Sequence, residues 1–373
     1  MLDYLKGLYQ DVEAKLPQVF CDSFYKYTKE NALEIAKDKV KNRVFNNVTD
    51  INFILFIPVV NWEAAIIERF SKMGVCHHCN IESTGFFKSK IEWEKYKLLN
   101  TKNIHDFFDK NYDESKLNIV FMYLSEFHFD ITTVEKLRKK NTIIINFNWD
   151  DILHYKRSHK GQSAGISALA KVVDFNLTMS ISSLTQYVRD NAAVFHWDGL
   201  DSINNKQPEI IKPKINRVLF YGARYGYRGP LIEYLIKRGV PIDVYGKGWD
   251  TDFIEYDELL EKIPSYSLNL GISTIAYSRR LCCFKGRDLE VPYNKGLYLV
   301  NDHKEITNVY KANKEVLVYR SKSDCYEKIN AVLANPDNYL NIKAAGAAKA
   351  ETLSWDSRIR YLLMLVNMIV GRE

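Results

Sequence analysis

The chain has 373 residues, too many for one ordinary hydrophobic core, so two domains are predicted. With 46% hydrophobic and 26% charged residues, it has the composition of a soluble globular protein rather than a disordered one. Its 52 basic and 46 acidic residues leave a formal charge of +6, spread along the chain, which favours anionic partners such as nucleotides, phosphates or an acidic membrane surface and does not demand nucleic acid.

Met1-Leu2-Asp3 opens into mixed polar sequence, not a secretory leader, and no apolar run approaches the roughly 18 residues of a spanning helix. A soluble, cytoplasmic protein that can rest on a membrane is expected. Residues 2–47 read as helix. Leu2, Leu5, Leu8 and Tyr9 recur at helical spacing, as do Ala32, Ile35, Ala36 and Val40, and Pro17 breaks or kinks the run. Phe20, Phe24, Tyr25 and Tyr27 form an aromatic stripe that packs on the neighbouring domain or faces a membrane or partner.

At Ile51 the pattern changes. Ile51 to Val60 reads as a strand, Trp62 to Met73 as a helix ended by Gly74, and Val75 as the start of another strand. This is the β-α-β opening of a doubly wound domain. Pro58-Val59-Val60-Asn61-Trp62 stands where a glycine-rich phosphate turn would, so this domain is not expected to bind the nucleotide. Cys76-His77-His78-Cys79 has the look of a metal knuckle. It lacks a second ligand pair, because His105 and His128 are each alone, so no metal is expected. The other cysteines, adjacent Cys282 and Cys283 with isolated Cys21 and Cys325, do not make a disulfide framework and fit a reduced compartment.

Leu117 to Leu124 and Thr142 to Phe147 are predicted strands, with a helix over Thr132 to Lys140 between them. Ligands of open α/β sheets sit beyond the carboxyl ends of the strands. Glu126, His128, Asp150 and Asp151 follow such ends and are the acid/base candidates. Asp150 and Asp151 fit an N-cap equally well. Val172 to Ser180 and Ala192 to His196 read as strands around a helix at Ser182 to Asn191. Residues 201–214 read as the interdomain linker.

A second α/β unit begins at Asn216. Arg217 to Tyr221 is a strand, and Gly222 to Pro230 is a turn rich in glycine and arginine that opens a helix ending near Gly239. Such a turn offers free amide groups to an anion, and Arg224 and Arg228 add charge. Ile242 to Tyr245 is a strand closed by Gly246-Lys247-Gly248-Trp249. Tyr256 to Ile263 is a helix and Ser267 to Gly271 a strand. A polar lead-in with Lys285, Arg287 and Glu290 then precedes the buried strand after Gly296. Two cations that can hold a diphosphate, beside a carboxylate that can take both hydroxyls of a ribose, suit a nucleotide-sugar site. A strand at Val316 to Tyr319 and helices at Ser323–Leu333, Tyr339–Thr352 and Arg358–Val370 complete the chain.

The order of these motifs resembles the CgeB-like (spore-maturation type) glycosyltransferases of the GT-B superfamily. The resemblance is carried by Val218-Leu219-Phe220-Tyr221-Gly222 with Arg224 and Arg228, Tyr245 to Trp249, Leu268 to Gly271, Lys285 to Pro292, Lys314 to Tyr319, Ala345-Gly346 and Ser354 to Arg358. It is strong over about residues 216–360 and weaker over 51–200, where Asn148 to Asp151 and Val173 to Phe175 fit; it does not cover 1–50. It implies an α/β protein of GT-B type, with two Rossmann-like doubly wound domains facing a cleft and an extra N-terminal helical segment. The implied division is a helical extension over 1–50, an acceptor domain over 51–205, a nucleotide-sugar domain over 214–357, and a last helix over 358–373 that packs back on the acceptor domain.

The implied activity is transfer of a sugar from a nucleotide-diphosphate sugar to the hydroxyl of a carbohydrate or other acceptor. Arg224, Arg228, Gly246, Lys247, Lys285, Arg287 and Glu290 would hold the donor. No metal or other cofactor is implied, because side-chain cations and helix N-termini stabilise the leaving diphosphate. Related retaining enzymes carry two glutamates eight positions apart. Glu290 matches the second, and Cys282 stands at the first, which leaves retention or inversion open. That departure keeps an alternative alive: a non-catalytic GT-B-like protein that binds a carbohydrate or a partner. A DNA- or lipid-directed transferase is a third reading of the basic balance.

Overall fold

The computed structural model describes residues 22–46, 49–59, 63–82, 87–149, 151–197, 209–251, 254–275 and 281–371, the side chains of 22–28 excepted. The described residues divide into two compact units, 22–197 with 358–371, and 209–357. The proposed break at Pro17, most of the aromatic stripe's side chains, Asp150 and the linker up to residue 208 lie outside the described part.

In the first unit helix α1 (Asp22–Val40) precedes β1 (Ile51–Phe56), α2 (Glu63–Ser71), β2 (Val75–Cys79), α3 (Lys90–Asn111), β3 (Leu117–Met122), α4 (Thr133–Lys136) and β4 (Thr142–Asn148). Then follow α5 (Asp151–His154), a short hairpin of β5 (Ser158–His159) and β6 (Gln162–Ser163), α6 (Ser167–Val172), β7 (Phe175–Thr178), α7 (Leu184–Arg189) and β8 (Val194–His196). The main sheet is parallel, in the order β2-β1-β3-β4-β7-β8. β3 and β4 are buried at every residue, as continuous apolar strands covered on both faces must be.

Several boundaries differ from the sequence expectation. The strand expected over Val172 to Ser180 is the end of α6 followed by the shorter β7. Asp174 between them is fully buried, bonds the Ile144 amide at 2.7 Å and pairs with Arg43, which ties the corner to β4. The helix expected over Thr132 to Lys140 is the single turn α4. Helix α3 carries no strong apolar period. It buries only Trp93, Asn100, Ile104 and Phe108, and its start is fixed by Ser89, whose hydroxyl accepts the Glu92 amide at 3.2 Å, while the Glu92 carboxylate accepts the Lys88 amide at 2.7 Å.

The second unit contains β9 (Ile215–Tyr221), α8 (Arg228–Lys237), β10 (Ile242–Tyr245), α9 (Tyr256–Lys262), β11 (Tyr266–Gly271) and α10 (Gly286–Tyr293). β12 (Tyr298–Asn301), α11 (Lys304–Val309), β13 (Leu317–Tyr319), α12 (Lys322–Ala334) and α13 (Leu340–Glu351) follow. The sheet is parallel, ordered β10-β9-β11-β12-β13. The chain enters at β9, steps outward to β10 and returns to β11 on the other side. The switch point therefore lies between β9 and β11, where α/β sheets open a binding crevice. The expected polar lead-in to β12 is the helix α10, with Arg287, Asp288, Leu289 and Val291 buried.

Helix α14 (Trp355–Val370) closes the chain, and its body belongs to the first unit. Arg358 there is 1% exposed and donates to the carbonyl of Trp197 and, at 2.9 Å, to the Met179 sulfur. Trp197 Nε1 in return donates to the Arg358 carbonyl at 2.8 Å. Among the described residues, no helix is long and apolar enough to cross a membrane.

Replacing Arg358 by alanine strips the Trp197 carbonyl of a charged donor and leaves a cavity. We expect Arg358→Ala to destabilise the protein by about 2–4 kcal/mol, read as a lowered midpoint in chemical denaturation. A midpoint equal to wild type would show that this contact does not hold α14.

Candidate active site

Two glycine turns meet at the carboxyl ends of β9 and β10. Gly222 (φ 135°) and Gly246 (φ 130°) both have backbone conformations that side-chain-bearing residues rarely adopt. The Gly222 amide donates to the Tyr245 carbonyl at 2.8 Å, the Arg224 amide to the Lys247 carbonyl at 2.9 Å, and Trp249 Nε1 to the Gly222 carbonyl at 2.8 Å. A Cβ on Gly246 would stand 2.7 Å from the Gly222 carbonyl, and one on Gly222 would stand 2.2 Å from Nη1 of Arg287. The space the glycines vacate is thus occupied by the opposite turn and by a guanidinium.

That guanidinium is 6% exposed. Arg287 donates through Nη1 to the Tyr221 carbonyl at the end of β9, and through Nη2, at 3.0 Å, to the Ile272 carbonyl just past β11. It lies over the rings of Phe220 and Tyr221, 5.1 and 5.6 Å from their centroids. Arg228, 5% exposed at the start of α8, donates to the Ala223 carbonyl at 3.1 Å and stacks 4.1 Å from the Tyr225 centroid. Burial and the charge of Arg287 pull its pKa down to about 10, so it remains a cation at neutral pH. Among the described residues neither guanidinium has a carboxylate within ion-pair distance, and Nε of each is buried without a hydrogen bond.

The other donor-site candidates surround this pair. Arg224 is exposed, bonded to Glu233 at 2.5 Å and stacked on Trp249. Lys247 is exposed and Lys285 half-buried. Glu290 lies one turn after Arg287 on α10. The hydroxyls of Tyr221 and Tyr256 donate to its two oxygens at 2.9 and 2.7 Å. A carboxylate has about four lone-pair positions, so this clamp orients Glu290 and leaves acceptor capacity free. Asp288 faces the other way. It is fully buried and accepts from the Lys285 amide at 2.6 Å, Ser273 Oγ at 3.1 Å and the Tyr298 hydroxyl at 2.6 Å. Sequence patterns did not disclose Tyr221, Tyr256, Ser273 or Tyr298 as members of this cluster, because each meets it through tertiary contact. Cys282 accepts from Asn301 Nδ2 at 3.2 Å, and burial pushes its thiol up to about 12, so it is neutral.

In the first unit Glu126 and His128 lie in the loop after β3 and Asp151 starts the helix after β4. Asp151 is fully buried, its two oxygens accepting from Ser183 Oγ at 2.7 Å and the Tyr187 hydroxyl at 3.0 Å. Glu126 accepts from Ser163 Oγ. His128 accepts the Ser125 amide at 3.1 Å through Nδ1, and burial lowers its pKa to about 4, so its ring is neutral. The described candidates are therefore all engaged with their own unit, and Asp150 lies outside the described residues. On β2, His78 Nε2 is 2.8 Å from the Ile57 carbonyl, and burial raises the Cys76 thiol to about 11. Among the described residues, no three His, Cys, Asp or Glu side chains gather as a metal site.

Comparison with known proteins now bears on the second unit. A family model described as glycosyl transferase-like matches residues 228–364. A search of curated protein sequences found no significant match. Sucrose-phosphate synthase from Thermosynechococcus elongatus superposes with a TM-score of 0.59 at 10% identity, covering 86% of this chain and 99% of that one. Alr3699/HepE from Anabaena, solved in complex with UDP, gives 0.52 at 10% identity over 84% and 99%. TarM gives 0.48 at 14% identity over 70% of this chain, which spans 57% of TarM. The two parallel sheets, with the likeness to sucrose-phosphate synthase and HepE, define an α/β protein of GT-B fold with two Rossmann-like domains. Its second domain is glycosyl transferase-like in sequence.

Two outcomes follow from the geometry. Gly246→Ala forces a Cβ into the Gly222 backbone at an unfavourable φ, and should cost about 2 kcal/mol or more in thermal or chemical unfolding. Asp151→Asn leaves one of two buried hydroxyls facing an amide donor instead of an acceptor. A loss of about 1–3 kcal/mol in stability is expected, and an unchanged melting curve would remove its structural role.

Proposed function

We propose that the protein is a glycosyltransferase of the CgeB-like type that moves a sugar from a nucleotide-diphosphate sugar to an acceptor hydroxyl. The observation that carries this reading is the pair of buried guanidiniums, Arg228 and Arg287, beside Gly222 at the sheet's switch point, with no carboxylate within ion-pair distance among the described residues. They stand where the chain also resembles glycosyl transferases in sequence, and the related fold of HepE was solved with UDP and glucose.

In the reaction the bond between the anomeric carbon and the diphosphate oxygen breaks, and its electron pair leaves with the nucleoside diphosphate. A new bond forms from the acceptor oxygen to the anomeric carbon. The hydroxyl's proton goes to a base or to an oxygen of the departing phosphate. Arg224, Arg228, Lys285 and Arg287 stabilise the charge that grows on the diphosphate, and Glu290 takes the ribose hydroxyls. A divalent metal is not needed for this role. The acid/base group is assigned to Asp150, Asp151, Glu126 or His128. The buried, doubly bonded state of Asp151 and the neutral, sequestered ring of His128 favour the phosphate oxygen over those two. The neutral thiol at Cys282 favours the second reading, a GT-B-like protein that binds a nucleotide or carbohydrate without turnover.

Incubation with a panel of nucleotide-diphosphate sugars separates the two. Release of nucleoside diphosphate from at least one donor, unaffected by EDTA, is expected. Arg228→Ala should lower kcat/KM about 100-fold or more, and Glu290→Ala should weaken nucleoside diphosphate binding in calorimetry. Binding without release would establish the non-catalytic reading, and the absence of both would overturn the donor site itself.

A further inference from the structure

Buried polar atoms without a hydrogen bond gather at one end of the second sheet: Arg228 Nε, Arg287 Nε, Thr274 Oγ1, and both ring nitrogens of His303. Folded proteins leave few such atoms, so a cluster of them marks a place where a partner is missing. The two arginines belong to the anion site between β9 and β11. Thr274 and His303 do not. They lie farther along the sheet, past the ends of β11 and β12.

Local contacts hold this second group together. Thr274 forms an isolated antiparallel bridge with Cys282. Asn301, the last residue of β12, accepts the Ser273 amide at 2.8 Å and donates to the Cys282 sulfur at 3.2 Å. His303 follows two residues later, at the N-cap position of α11, without a side-chain cap bond. Lys285, Asp288 and Glu305 act electrostatically on both Cys282 and His303, and Asp302 acts on His303 as well, so the two side chains share one neighbourhood. Burial lowers the imidazole's pKa and keeps the ring neutral, with one nitrogen to donate and one to accept. The residue as a whole is half-buried. A half-turn about Cβ–Cγ exchanges the places of ring carbons and nitrogens, and imidazole orientations related in this way are nearly isosteric.

The sheet spacing fixes what can reach this point. Glu290 and its tyrosines lie on the β9 and α9 side of the arginine pair, and His303 lies on the β12 side. From β9 to β12 is two strand spacings, roughly 10 Å. A nucleoside diphosphate with its ribose at Glu290 and its phosphates at the arginines therefore directs the group on its distal phosphate toward β12.

We propose that His303 reads the donor sugar: one ring nitrogen hydrogen-bonds a sugar hydroxyl, beside the uncharged thiol of Cys282. This rests on the donor reading above, and it makes His303 a specificity-determining residue rather than part of the phosphate cradle.

Calorimetry on the full chain tests it, with UDP, GDP, ADP and dTDP each compared with its own glucose conjugate. With the pair that wild type binds, His303→Ala should keep the affinity for the free diphosphate within about twofold. It should lose about five- to tenfold for the sugar conjugate, the worth of one hydrogen bond. His303→Gln, which keeps a donor and an acceptor, should recover part of that loss. Equal losses for both ligands, or no loss for either, would overturn the role of His303 while leaving the donor site standing. Wild type that binds none of the eight ligands would instead overturn the donor reading, and this inference with it.

Discussion

The second domain depends on one buried side chain. Arg287 joins the carbonyl of Tyr221 to that of Ile272, and so ties the carboxyl ends of β9 and β11 together at the point where the sheet would otherwise open. Parallel strands end in carbonyls that have lost their ladder partners, and burying those groups unpaired is costly. The planar guanidinium can serve two of them at once in fixed geometry, which a lysine could not. Its position also explains Gly222, because any Cβ there would strike Nη1. Through Gly222 the constraint passes to Gly246 and Trp249. Through α10, on which Arg287 sits, it passes to Glu290 and Asp288.

What the sequence made legible follows from how strongly burial marks a residue. Leu117–Met122 and Thr142–Asn148 stand out as short, mostly apolar runs because both faces of a parallel sheet are covered. Helix α3 does not stand out, since its four buried residues are diluted among lysines and glutamates on an exposed face. Helix α10 is harder still. It begins at Gly286 and carries Pro292 in its last turn, both poor helix residues, and its buried positions include an arginine and an aspartate. Local propensity argues for a loop there, and tertiary burial overrides it.

The candidate site was legible by residue type and not by partnership. Arg228, Arg287 and Glu290 could be singled out from charge beside glycine turns and a buried strand. The tyrosines that orient Glu290 are 69 and 34 positions away, and no spacing rule joins them. The acidic candidates after β3 and β4 stand out in the sequence by their place at strand ends. Burial of Asp151 between Ser183 and Tyr187 is a packing fact that chain position does not encode.

Two like charges held close together out of water oppose folding, and that opposition is itself informative. Each guanidinium is partly compensated: Arg287 by two carbonyls and two aromatic faces, Arg228 by one carbonyl and one ring. Carbonyls and rings supply dipoles and quadrupoles, not a full opposite charge; burial and the Arg287 charge lower the pKa of Arg228, whereas for Arg287 the pull of burial is outweighed by Tyr298, Tyr221 and Asp288. A carboxylate is close at hand in Asp288, yet it is turned toward Ser273, Tyr298 and the Lys285 amide. Those bonds serve the fold, because the carboxylate closes the capping box at the start of α10 and satisfies two buried hydroxyls. Asp288 thus acts on Arg287 through space without bonding either guanidinium. An anion reaching the switch point would have no ion pair between Asp288 and either guanidinium to break.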